Sequence, residues 1–230
     1  MKTLKKVKGG KKAKLNFEYI NHIPQLLSSK SQAKTAADCF DLNYLETVLK
    51  VRAAHHLETT YNLLNESKAS NSVKQNELFA SDVQHLSRAH ISYIIFQMAK
   101  DGHDKKTWKC AGAQKIFQLC LAIYAIKQIQ EDSEALYETG FFGKGSALLF
   151  NDAMKEALVR LRPQMIALVE IMEDDFNQLS GIGNYHGDIY ESMYDFARNS
   201  ALNNKGLPPY YEPYMRPLIL GNGDNGKFKL

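Results

Sequence analysis

Histidines, carboxylates and arginines are the side chains here that could catalyse or bind, and their spacing limits what they can do. His55 and His56 are neighbours, so on a helix their side chains diverge and cannot chelate one metal. His85 and His90 are five apart, off the i, i+4 spacing that puts two ligands on one face. Asp82 and His85 are three apart and can pair. No second carboxylate–histidine pair accompanies them, so a helix-surface or buried polar contact is the simpler reading. His90 lies in an apolar stripe, the usual setting of a satisfied core histidine. Glu173-Asp174-Asp175 has no EF-hand spacing after it and reads as a solvated helix end. Arg52, Arg88, Arg160 and Arg162 are the cations most firmly embedded in helical pattern. They read first as ion pairs within a bundle, and second as contacts to phosphate groups or a partner subunit, which suit guanidinium geometry. No residue is assigned as catalytic or as a metal ligand.

The glycine-rich stretches 140–145 and 181–187 follow no strand and match no Walker loop, so both read as turns. Lys2, Lys5, Lys6, Lys8, Lys11, Lys12 and Lys14 carry the whole excess of the +4 net charge, leaving the rest slightly acidic. No aromatic interleaves them before Phe17, which favours a solvated arm over a nucleic-acid or membrane-surface contact. The cysteines, Cys39, Cys110 and Cys120, form no CxxC pair and sit in apolar-periodic sequence, as free, buried thiols in a reducing compartment would. No apolar run reaches the roughly 20 residues that span a bilayer, and no apolar stretch follows the N-terminal lysines as a secretory signal requires. A chain of 230 residues with 44% hydrophobic residues can bury a sizeable core.

The elements that must position these residues are helical. Residues 1–34 read as a basic flexible arm, with Gly9-Gly10, followed by an irregular segment punctuated by Pro24. From Asp41 an apolar stripe runs through Leu42, Leu45, Leu49, Ala53, Leu57, Tyr61 and Leu64. A second runs from Leu78 to Met98, with Gly102 as its expected end, and a third from Trp108 to Ile129. The fourth covers Ala147 to Met172, with a break expected at Pro163. Ile182 to Glu191 reads as a helix end, a tight turn and a capped restart at Asp188. Pro208-Pro209 suits the first turn of a last helix, and residues 221–230 read as a loose tail. No strand alternation and no repeat period are visible. The expectation is an all-α bundle of about four long helices and two short C-terminal ones, with a helical domain over 35–220.

Several blocks resemble, in order, the C-terminal helical domain of peroxisomal acyl-CoA oxidases. Asp41-Leu42 through Lys50-Val51-Arg52-Ala53-Ala54 resembles its first helix, and Asp82-Val83 with Ser87-Arg88-Ala89-His90 and Tyr93 its second. Arg162-Pro163 with Ala167-Leu168-Val169-Glu170 is similar to a third block. Gly183, Tyr185, Gly187, Asp188, Tyr190 and Glu191 follow the family's Gly-x-Tyr-Asp-Gly-x-x-Tyr-Glu pattern, and Ser200-Ala201-Leu202-Asn203 its later Ser-Pro-Leu-Asn. Tyr211-Glu212 and Tyr214 to Leu218 resemble its ending. Two departures stand out: His186 replaces the usual aspartate, and Ala201 the usual proline. Neither position is catalytic in the family, so both bear on local turn geometry.

The resemblance implies a flavoprotein that uses FAD to oxidise acyl-CoA to the trans-2-enoyl-CoA and passes the electrons to oxygen, giving hydrogen peroxide. In that family a glutamate of an acyl-CoA dehydrogenase-like half removes the α-proton, and family order places it before the position of Met1. The expectation is therefore a C-terminal domain that contributes packing and dimerisation. Its partners would be the catalytic half and a second copy, and it would neither bind FAD tightly nor oxidise acyl-CoA by itself. Phosphate contacts from the arginines would in this family be to CoA. Another reading is a stand-alone interaction protein that pairs with full-length oxidases, and another is nucleic-acid binding through the lysine arm. The family implies a peroxisomal address, failing which the chain is expected in the cytoplasm. Of the tail Phe228-Lys229-Leu230, Lys229 and Leu230 fit a peroxisomal signal and Phe228 does not.

Overall fold

A computed structural model of the chain describes residues 2–171, 187–201, 203 and 206–220. Among them every regular element is helical. Two compact units divide the chain at Pro163, residues 1–163 and 164–230, where the sequence reading drew one domain over 35–220.

The centre of the first unit is α3, Leu42–Glu66. Asp41 starts it: its Oδ1 accepts the Asn43 amide at 2.8 Å, satisfying one of the orphan donors of the first turn. Leu45, Val48, Leu49, Val51, Ala53 and Ala54 are all fully buried, so this helix is covered on more than one face. Around it lie α2 (Ile23–Ser28), α4 (Ala80–Lys105), α5 (Ala111–Glu131) and the short α6 (Glu134–Glu138), while α7 (Ser146–Leu161) packs on α5. The outer helices bury single faces. On α4 this is Ala89, Ser92, Tyr93 and Phe96; on α5 it is Leu121, Ala122, Ala125, Ile126 and Ile129; on α7 it is Phe150, Ala153, Ala157 and Leu161. Alanines at these spacings let backbones approach, and Phe96 and Phe150 fill the space between them.

Two expectations are corrected here. The lysine-rich arm is not loose throughout: Lys2–Lys8 forms α1, and Leu4 is buried at 2% exposure. Leu4 and Val7 supply an apolar edge among the lysines. Lys8 lies 4.5 Å over the Tyr61 ring and 3.8 Å from Glu58, so the lysine stems themselves cover α3. Gly10, at φ 86°, closes α1 in the left-handed region. Beyond it, the Asn21 side chain brackets the Ala13 backbone, accepting from its N at 2.8 Å and donating to its O at 2.9 Å. The second correction is Gly102, which does not end α4. The helix continues to Lys105, and His103 within that last turn is buried.

The turn 140–145 performs turn chemistry and also plugs the core. Phe141 and Phe142 are buried, Ser31 N donates to Phe141 O at 2.9 Å, and Lys30 Nζ donates to Gly140 O at 2.7 Å. Gly140 has φ 64°, a left-handed conformation that calls for glycine; a Cβ there would meet only the movable end of Lys30, at 2.9 Å.

Pro163 breaks the fourth apolar stretch where expected: α7 stops at Leu161 and a 3₁₀ turn covers Arg162–Gln164. The second unit contains α8 (Met165–Ile171), α9 (Ile189–Asn199), a π-helical turn (Tyr211–Met215) and α10 (Arg216–Ile219), and none of these elements has a buried residue. The last helix begins later than Pro208-Pro209 implied. Pro213 has no amide to donate, which interrupts an α-ladder before Arg216.

Candidate functional site

The densest polar constellation is centred on Arg52. It is buried at 2% exposure in the middle of α3, among aliphatic neighbours that force its guanidinium inward. One terminal nitrogen donates to the Gln128 carbonyl in the last turn of α5, and the other donates to Ser92 Oγ on α4. Ser92 Oγ donates in turn to Ala89 O at 3.1 Å, and Tyr124 OH donates to Ser92 O at 3.4 Å. Asp132, just past α5, places Oδ2 3.9 Å from Arg52 Nε and 2.7 Å from His56 Nε2. His85 of α4 stacks on His56 with centroids 6.0 Å apart, and the neighbouring His55 reaches Glu138 at 2.9 Å. The two adjacent histidines thus grip acids at both ends of α6.

Burial pushes the Arg52 guanidinium below its ordinary range, opposed by the charge of Asp132 and more weakly by Tyr124 and Glu131. Burial pushes Asp132 up, but the His56 hydrogen bond and the charges of His56, Arg52 and His85 outweigh it and hold the carboxyl below its usual value. Arg52 Nε has no hydrogen-bond partner, although its carboxylate neighbour balances its charge. Arg88 lines the same cavity of about 390 Å³, together with His85, Tyr124 and Glu131. Arg52 and Asp132 are committed to each other, to Ser92 and His56, and to backbone, which fixes the arrangement. Its effect is mechanical: one guanidinium ties α3, α4 and the end of α5 together.

The other residues singled out from sequence are dispersed. Asp82 and His85 do not pair; the Asp82 carbonyl accepts from Thr60 Oγ1 at 3.4 Å, and His85 lies on His56 instead. His90 stacks on Phe17 at 5.0 Å with Tyr19 OH 3.0 Å from Nδ1, and burial lowers its pKa. Arg160 pairs with Glu156 and lies 4.8 Å over the Phe40 ring. Arg162 and Pro163 occupy the 3₁₀ turn between α7 and α8. Gly187 has φ 78°, and Asp188, Tyr190 and Glu191 stand at the start of α9, with Tyr190 89% exposed. Asn203 Nδ2 donates to Ala197 O at 2.6 Å, closing the end of α9. Gly183, Tyr185, His186, Leu202, Glu173-Asp174-Asp175 and Phe228-Lys229-Leu230 lie outside the described residues.

The cysteines need a correction. All three are free, but Cys110 is exposed, not buried. It precedes α5, where the amides of Ala113 and Gly112 hold its thiol below the usual pKa, whereas burial pushes the Cys39 thiol up to about 12. Among the described residues no group of histidine, cysteine and carboxylate ligands could hold a metal ion, and no helix is long and apolar enough to cross a membrane. Sequence reasoning missed the His56–Asp132 and Arg52–Gln128 links because each spans 76 residues, beyond any local pattern.

Comparison with known proteins accounts for this fold. Residues 41–220 match the family model described as acyl-CoA oxidase. Among curated proteins, the peroxisomal acyl-coenzyme A oxidase 1 of Phascolarctos cinereus is 29% identical over 224 residues, an alignment that takes in 95% of this chain and 34% of that protein. The chain therefore spans about a third of the length of the curated relatives it matches. Among solved structures, Arabidopsis thaliana acyl-CoA oxidase 1 superposes with a TM-score of 0.75 at 23% identity, covering 96% of this chain and 33% of that one. Acyl-CoA oxidase-2 of Caenorhabditis elegans, solved bound with FAD, ascaroside-CoA and ATP, superposes at 0.70 with 19% identity, covering 98% and 33%. With most of its length matched by one family model and its helical fold shared with solved oxidases, the chain belongs to the acyl-CoA oxidase family.

Proposed function

We propose that this chain is the C-terminal helical part of a peroxisomal, FAD-dependent acyl-CoA oxidase, and that its contribution is architectural: it packs against the catalytic half and helps to build the dimer. The observation that carries the reading is the match over residues 41–220 within a chain that aligns with a third of its relatives. The geometry agrees with it. The Arg52 centre holds helices together. In the second unit Ile166, Ile171, Tyr190 and Tyr194 are each more than 60% exposed, and large side chains left open in this way are ones that protein contacts cover.

On this reading the flavin is held mainly by the catalytic half. The cavities beside Arg52, Phe40, Tyr61 and His90, about 240 to 390 Å³, are small for a dinucleotide, and the glycine-rich stretch 140–145 follows a helix where a dinucleotide fingerprint follows a strand. No catalytic step is assigned to the residues of this chain. In the complete enzyme the flavin would accept the hydride equivalent removed from the acyl-CoA and return the electrons to oxygen.

The test has two arms. The 230 residues purified alone should show no flavin absorbance and no peroxide with palmitoyl-CoA. Co-expression with the acyl-CoA dehydrogenase-like half of a relative should give a complex that binds flavin and produces peroxide. Peroxide from the chain alone, or failure of the two parts to associate, would overturn the proposal.

A further inference from the structure

A groove of about 340 Å³ lies beside α5 and α7, at the edge of the core. Ala122 and Leu119 of α5 and Phe40 of the 3₁₀ turn Ala36–Phe40 form its apolar floor. Its polar lining is Lys115 and Gln118 of α5 and Arg160 of α7, and no acid lines it. Arg160 lies over the Phe40 ring, so a cation stands at the apolar floor while its side chain stays open to solvent. Glu156, one turn back on α7, pairs with Arg160 but does not line the groove, which leaves Lys115 as the groove's cation with no ion-pair partner among the described residues.

We propose that this groove binds an amphipathic monoanion, a medium-chain aliphatic carboxylate, with its tail along Phe40, Leu119 and Ala122 and its head between Lys115 and Arg160. Few lining residues, an apolar floor and a small set of convergent polar groups are the features of small-ligand sites. The charge favours a carboxylate over a phosphate ester: of the two cations, Arg160 already pairs with Glu156, so a singly charged head matches the lining better than a doubly charged one. The Arg160–Glu156 pair is exposed, and such pairs are weak enough for an incoming carboxylate to compete with Glu156. Gln118 offers an amide donor to the same head. The site is independent of the Arg52 cavity, with which it shares no lining residue.

Calorimetric titration of the full chain tests it, using dodecanoate below its micelle concentration, with dodecanol, acetate and dodecyl phosphate as comparisons. Saturable dodecanoate binding is expected, with dodecanol and acetate each at least about tenfold weaker, because each keeps only half of the complementarity. Lys115→Gln should weaken dodecanoate binding about fivefold, and Gln118→Glu, which adds a like charge to the head, by at least as much. Lys127→Gln makes the same net charge change on α5 outside the groove and should have no effect. Gln118 and Lys115 are exposed, so these variants keep the fold, which circular dichroism checks. Equal binding of dodecanol and dodecanoate, equal effects of Lys115→Gln and Lys127→Gln, or no saturable binding would each overturn the proposal. Tighter binding of dodecyl phosphate would overturn the carboxylate assignment.

Discussion

Residues 2–163 and the described part of 164–220 have similar helical periodicity and opposite burial. In the first unit α3 carries six fully buried aliphatic residues, and every helix that meets it contributes to one core. In the second, α8 consists almost wholly of apolar residues, yet Ile166 is 77% and Ile171 74% exposed. Helix α9 places Ile189, Met193, Phe196 and Ala197 on one side and Glu191, Asp195 and Arg198 on others, and buries none of them. An amphipathic pattern therefore specifies that a helix has a face to cover, not what covers it. Stability in this chain should accordingly reside in the first unit, while the second unit's apolar residues should matter most when a partner is present.

The contrast breaks most sharply at two ion-paired arginines, one from each unit. Arg52→Ala should destabilise the first unit by about 3–5 kcal/mol, because it leaves the Gln128 carbonyl, Ser92 Oγ and the Asp132 carboxylate without their cation. Arg216→Ala, which removes an exposed pair with Glu212, should stay within about 0.5 kcal/mol. Urea titration of both variants measures the difference, and equal midpoints would erase it. Apolar truncation sharpens the same point. Leu45→Ala should cost about 2–5 kcal/mol through the cavity it leaves, whereas Ile166→Ala should change the isolated chain by no more than about 0.5 kcal/mol. The second variant should instead weaken association with the catalytic half in a pull-down.

Acid should act on the first unit in two stages. His90 is held neutral by burial, so its pKa is lower folded than unfolded. The unfolded chain then binds the proton first, and stability falls as pH drops below about 6.5. Asp132 has a depressed pKa when folded. Its contribution is present above its unfolded value of about 3.9 and is lost as pH falls through the folded value. Thermal melts from pH 7 to pH 3 should show both stages, with Asp132→Asn flattening only the lower one; an unchanged lower stage would remove Asp132 from the account. The smallest effect is chemical. Iodoacetamide should label Cys110 first and Cys39 last by mass spectrometry, without shifting the melting temperature, because Cys110 is exposed and amide-stabilised as a thiolate.

Much of the fold was legible from local pattern. The Asp41 cap, the four long apolar stripes and the Pro163 break depend on residues within a few positions of one another, and each has a helix or break at its place, with ends that differ by several residues. The lysine arm was misread because its charges hide Leu4, whose burial depends on α3 lying beneath it. Gly102 was misread because a glycine inside a helix costs only about 1 kcal/mol against alanine, which tertiary packing of His103 and Trp108 can offset.

What the sequence determined by itself was helix positions, the absence of strand periodicity and, through five ordered blocks, the family. The tertiary structure alone decided which charges meet. Arg52 could be recognised as embedded in α3, but its ligands Ser92 and Gln128, and the His56–Asp132 pair, come from helices whose register against α3 is set by core packing. Packing likewise decided that Lys115 and Arg160 share a groove while Asp82 and His85, three residues apart, do not pair. The physical reason is that helix formation is governed by interactions a turn or two long, whereas a buried ion pair forms only where the burial of apolar faces has already brought distant segments together.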